Sequence, residues 1–231
     1  MKLYTGNAQD IATDEQALTS PSALEGQLGA LDERLRELRP GDPRRAGTLL
    51  EKARTLMRLE RGEEAWAPGR EAFDGFVSAR DWERTVETCE VLFLADRTES
   101  LAALGQGVWL AVTFPVTPEV TVEMLRRVVE ETPDDSDGAA VAAATAHYVA
   151  DLRTSGPARE NLLFYTAQLL SSVARRHSQV ESQEQFDAWL KRLELDQPDK
   201  FLVRLRNVVD VLVQDSWWID RDAIHAELPV N

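Results

Sequence analysis

The chain predicts an all-α protein built of antiparallel helical hairpins, stacked as a solenoid or closed into a compact helical bundle. Three observations carry that expectation. Apolar residues return at steps of three and four, as in Trp82, Val86, Cys89 and Phe93 and again in Leu101, Leu104, Val108 and Ala111, a spacing that gathers them on one helical face. β-Branched residues do not collect in alternating runs. Helix-start signals fall at Pro43, Asp81, Pro118, Pro157 and Pro198, at intervals of 38, 37, 39 and 41 residues, about the length of two helices with tight turns.

Taken in order, residues 1–19 are polar and aperiodic and read as a flexible N-terminal arm, with 20–231 a single all-helical domain that a break near 154–157 can subdivide. Ser22 and Glu25 have capping-box spacing. Leu24, Leu28, Leu31, Leu35 and Leu38 then form a stripe ending before Pro40, suited either to packing on the body or to a dimer seam. Asp42-Pro43 joins an N-cap acceptor to a proline at the first helical position. The following helix places Ala46, Leu49, Leu50, Ala53, Leu56 and Met57 on one face and stops near Arg61-Gly62. A second runs from about 63 to 79 and must start after Pro68 or bend there.

The two helices of residues 81–112 are the most apolar stretch outside the alanine run at 139–150, and they need cover from their neighbours. A helix from Pro118 to about Glu131 leads to the turn at 132–138 and a small-residue helix, AAVAAATAHYVADL. After the break at 154–157, a long helix runs to about Arg176. Ser182 and Gln185 open a short helix with a capping box, and another helix spans Pro198 to about Val213. The tail holds Trp217-Trp218 and a short helix to about Leu228.

Within RRAGTLLEKARTLMRLERGEEAWAPGREAF, Ala53 is the small residue of a first helix, Arg61-Gly62 a turn, and Ala65 and Ala72 small residues seven apart in a second. Residues 44–79 thereby resemble a tetratricopeptide repeat, although Gly69 stands where that motif has an aromatic and the period exceeds its 34 residues. The resemblance implies a helical-hairpin repeat protein that binds other proteins.

A net charge of −14 argues against nucleic acid or an anionic membrane as partner, because phosphate contacts need Lys and Arg. The charge is uneven: residues 34–70 hold ten Lys/Arg against six Asp/Glu, and residues 119–151 two against eight. One cysteine, Cys89, excludes an internal disulfide, and its apolar helical face marks it as a core residue. The N-terminus lacks the apolar core of a secretory signal, and no run reaches the ~18 residues of a membrane helix. The expected location is the cytoplasm.

Chemistry is sparse. His147, His177 and His225 lie far apart, outside any HExxH spacing, and His147 reads as a hydrogen-bonded interior histidine. The turn Asp134-Asp135-Ser136-Asp137-Gly138 would put Pro133 and Ala144 at two ligand positions of an EF-hand, so it reads as a helix start. Gly105 and Gly107 sit late in a helix with no P-loop lysine. The sequence therefore nominates no catalytic, cofactor-binding or metal-binding residue.

The candidate binding residues are for protein: Trp217 and Trp218, with Arg44, Arg45, Arg54 and Arg58 from the basic stretch. Adjacent residues on a helix point about 100° apart, so a regular helix leaves one indole exposed as an anchor. In an irregular chain both rings can tuck into a groove. The expected function is a non-enzymatic protein-binding module, an adaptor or assembly chaperone. Two alternatives stand beside it: an acidic inhibitor of a basic enzyme, of immunity or antitoxin type, and an all-α enzyme or ligand carrier whose site forms only in three dimensions.

Overall fold

A short polar side chain followed by proline stands at three of the helix starts, Ser20-Pro21, Asp42-Pro43 and Thr117-Pro118. In the computed structural model the described residues are 20–226. They form eleven helices: α1 (Pro21–Glu37), α2 (Pro43–Arg58), α3 (Gly62–Ala79), α4 (Trp82–Leu94), α5 (Ser100–Thr113), α6 (Pro118–Glu131), α7 (Asp137–Arg153), α8 (Gly156–Ser178), α9 (Gln183–Arg192), α10 (Pro198–Val213) and α11 (Arg221–Ala226). No strand occurs among the described residues. The chain is all-α, as its periodicity predicts. None of the helices is long and apolar enough to cross a membrane. The expected arm at 1–19 and the end of the expected terminal helix lie outside the described residues.

One local expectation is corrected, and of the two alternatives at Pro68 the later helix start is removed. Ser20, not Ser22, caps α1: its hydroxyl accepts from the Ala23 N–H at 3.3 Å, and Pro21 fills the first helical position, where its missing N–H costs nothing. Helix α3 begins at Gly62 and continues through Pro68. The carbonyl that Pro68 leaves without its helical donor belongs to exposed Glu64, which water can serve. Three further caps agree with the sequence. Asp42 accepts from the Arg44 N–H at 2.9 Å, and Ser136 caps α7 within the acidic turn. Ser182 and Gln185 form the complete capping box of α9.

Helices α2/α3, α4/α5 and α6/α7 are hairpins, and each stacks on the next. A smaller core joins α2 and α3 to Leu28 of α1 and Val91 of α4, and Leu24, Leu31 and Leu38 are buried as well, so the leucine stripe packs on its own chain. The main core runs from Phe73 in α3 to Ile224 in α11 and continues across residues 154–157. Cys89 is wholly inside it, and burial pushes its thiol far above the usual range.

The last third breaks the stacking pattern. Helix α10 turns back to lie on α5 and α7. Gly105 makes this approach possible, since a Cβ there would sit 2.5 Å from Val213 Cγ2 and 3.0 Å from Leu212 Cβ. Gly107 does the same toward α4 and α6, with Cys89 Cβ at 2.8 Å.

Arginines fasten helix ends across the fold. Arg45 donates to the Leu35 and Leu38 carbonyls at the end of α1, and Arg153 to those of Ala111 and Val112 at 2.8 Å each. Arg176 donates to Val129 at 2.6 Å and Arg204 to Leu193 at 2.5 Å. Each brings a positive charge and planar donors to carbonyls that a helix terminus leaves without partners.

Candidate functional site

The Trp217-Trp218 dipeptide lies in an irregular stretch between α10 and α11, and that irregularity lets both rings pack inward. Trp218 meets Phe73 edge-on at 5.2 Å and Trp66 at 6.0 Å, with the Arg70 guanidinium 3.7 Å over its ring. Trp217 meets Trp109 at 6.1 Å and carries Arg221 at 3.9 Å. The backbone N–H of Trp218 donates to the Oε1 of fully buried Gln106 at 2.8 Å. Together with α10, this strap covers the side formed by α3, α5 and α7.

The four candidate arginines do not join the tryptophans. Arg44 pairs with Asp42 of its own cap at 2.9 Å and holds that carboxyl down to about 2. Arg45 pairs with Glu71 at 2.6 Å and Arg54 with Glu87 at 3.0 Å. Arg58 donates to Gln27 on α1 and to Thr55. These arginines tie α2 to its cap and its neighbours, so the six candidates do not gather into one site.

An open cleft of about 840 Å³ lies instead between α7 and α8 on one side and α9 with the start of α10 on the other. Helical spacing builds each wall: Ala144, His147, Tyr148 and Asp151 from α7, and Leu163, Ala167, Leu170 and Ser171 from α8. Phe186 and Leu190 come from α9, and Phe201 from α10. Arg159 and Arg175 stand at the two ends of the α8 wall. Sixteen residues of helix at 1.5 Å each put them about 24 Å apart.

His147 is the polar feature of the floor. The Thr166 hydroxyl donates to the Leu162 carbonyl at 2.8 Å, so at 3.0 Å it accepts from His147 Nδ1. This fixes the proton on Nδ1 and leaves Nε2 with a lone pair and no partner among the described residues. Burial lowers the imidazole below its ordinary value, opposed by Asp151, so the ring is neutral at physiological pH. The Tyr148 ring packs edge-on against Phe201 at 5.8 Å, and its hydroxyl has no partner among the described residues. Asp151 and Arg159 pair with each other, whereas Arg175 donates only to the Ser171 carbonyl.

The α9 wall is pinned from behind. Trp189 is buried, and its indole N–H donates to His177 Nδ1 at 3.2 Å. His177 Nε2 in turn donates to Asp137 at 3.1 Å, and Asp137 also takes Arg204 of α10 at 2.8 Å. Phe186 stacks on Trp189 at 5.9 Å and presents its other side to the cleft.

This arrangement is suited to holding an apolar surface. Among the described residues, no group of three His, Cys, Asp or Glu side chains can hold a metal ion. Sequence reasoning missed Tyr148, Phe164, Ala167, Arg175 and Phe186. One signal was present: Leu162-Leu163-Phe164-Tyr165 is four large apolar residues in a row, more than one helical face can bury, and Phe164 is left 67% exposed. No family model, curated protein or solved structure matches the chain.

Proposed function

We propose that the protein is a non-enzymatic binding module, an adaptor or assembly chaperone that holds a segment of a partner protein in the cleft between α7/α8 and α9/α10. The observation that carries this reading is the contrast between a rigidly pinned apolar cleft and Phe164, 67% exposed one helical step from its wall. A solvated aromatic beside an apolar cleft marks an interaction surface. The tetratricopeptide-like hairpin of residues 44–79 supports the same class of function.

The test places a photo-cross-linking residue at Ala167 or Ser171, with Arg44 as control, in full-length protein incubated with native extract. The expected result is one protein species captured from both cleft positions and not from Arg44. Equal capture at Arg44, or none in the cleft, overturns the reading.

A second reading has its own observation: the cleft volume falls within the roughly 300–1,000 Å³ of small-molecule sites, with the Nε2 of His147 without a hydrogen-bond partner among the described residues. A ligand carrier would retain a small molecule through purification, seen by mass spectrometry of the denatured protein.

A further inference from the structure

The chemistry of the segment follows from the walls of the cleft, and this step rests on the reading just given. We infer that the occupant is a cationic amphipathic helix, with apolar residues on one face and Lys or Arg along its flanks.

Backbone chemistry selects a helix. The long sides of the cleft are helical, with the main chain already paired, and only the short connections at 180–182 and 195–196 lie between them, so no strand edge among the described residues offers an extended peptide a ladder of hydrogen bonds. A helix satisfies its own backbone and needs only side-chain contact. The floor provides that contact through Leu163, Leu170, Phe186 and Phe201, while the small side chains of Ala144 and Ala167 let a neighbouring helix approach closely. The α8 wall, about 24 Å long, matches about sixteen helical residues. Glu160, Phe164, Ala167 and Ser171 follow at steps of four, three and four, so Phe164 extends the same wall outward.

Charge selects the cation. Residues 179–199, which form the α9 side, hold six carboxylates against two cations. Among them Glu181 and Asp196 line the cleft, and neither they nor Glu160, Glu184 and Asp187 form an ion pair among the described residues. Arg159 is neutralised by Asp151, leaving Arg175 as the lining cation without a carboxylate partner. An anionic helix would bring further negative charge to a carboxylate-rich rim, whereas Lys or Arg would relieve it. The net charge of −14 also speeds the approach of a cation.

The experiment uses the full chain and three fluorescent peptides of about sixteen residues, the length set by the α8 wall. One is a Leu/Lys amphipathic helix, one carries Glu in place of every Lys on the same apolar face, and one is the Leu/Lys composition scrambled to destroy amphipathicity. Anisotropy is expected to show the Leu/Lys helix binding at least about tenfold tighter than either other peptide, weakening as salt screens the rim. Ala167→Trp, at an exposed position that fills the cleft, is expected to weaken binding about tenfold with an unchanged melting curve, and Phe164→Glu provides a second such variant.

If the Leu/Glu helix binds as well as Leu/Lys and Ala167→Trp abolishes both, the cation inference falls while the cleft remains a protein-binding surface. If the scrambled peptide equals the helix, or Ala167→Trp changes nothing, attraction to the acidic surface at large explains the binding and the inference is overturned. Binding of none of the three overturns it as well, whereas the cross-linking experiment, which assumes no partner charge, decides the protein-binding reading separately.

Discussion

Two apolar faces of this protein have opposite fates. The side formed by α3, α5 and α7 is covered by the chain itself: α10 lies against the glycine of α5, and the strap sets Trp218 on Phe73 and hydrogen-bonds to buried Gln106. The cleft between α7/α8 and α9/α10 has comparable ingredients, Phe186, Phe201, Leu163 and Tyr148, yet stays open. What separates them is how the last two hairpin positions are used. In the fourth, the partner of long α8 is α9, ten residues against twenty-three, tied to the end of α8 by the Trp189–His177 hydrogen bond. In the fifth, α10 leaves its neighbour to seal the earlier hairpins. The helix that would have closed the cleft is engaged elsewhere.

That comparison predicts that substitutions on the covered face act on stability and those in the cleft on binding. The largest effect is expected for Phe73→Ala, which empties a fully buried site beneath Trp218 and should cost about 3–5 kcal/mol in urea denaturation. Gly105→Val should cost about 1–3 kcal/mol by driving α10 from α5, with a rise in dye binding as the covered face opens. Gln106→Leu, which strands the Trp218 N–H, should cost about 1–3 kcal/mol. Equal losses from Phe164→Glu would break the distinction between the two faces. Its side chain is 67% exposed, and the expected change is within about 0.5 kcal/mol.

The smallest effect is a pH dependence. The unfolded His147 titrates near its ordinary 6.5, and burial holds the folded group lower. As pH falls below 6.5, the unfolded chain takes up a proton that the folded one resists, so stability declines toward the folded value and is unaffected well above 6.5. His147→Gln should flatten that slope in melting curves collected across pH 5–8. An unchanged slope would remove the buried, neutral imidazole from the account.

The sequence by itself determined the helices and most of their ends. Periodicity and caps are local: Asp42-Pro43, Ser136 and Ser182 with Gln185 act within a few residues of themselves, and the side chains that satisfy the helix starts lie beside them. The alanine helix was legible as a place of close approach, though not what approaches it, whereas the role of Gly105 and Gly107 emerged only from the packing around them. Only the tertiary structure decided how the arginines and tryptophans are used. Arg45, Arg153 and Arg176 serve carbonyls 7 to 47 residues away, and Trp218 reaches a glutamine 112 residues upstream. Such pairings depend on where α10 turns, a choice made by its packing on α5 and α7 together with the strap on α3, and written in no single stretch of chain. The cleft is the remainder of that choice, the apolar surface left uncovered when the last long helix folds back.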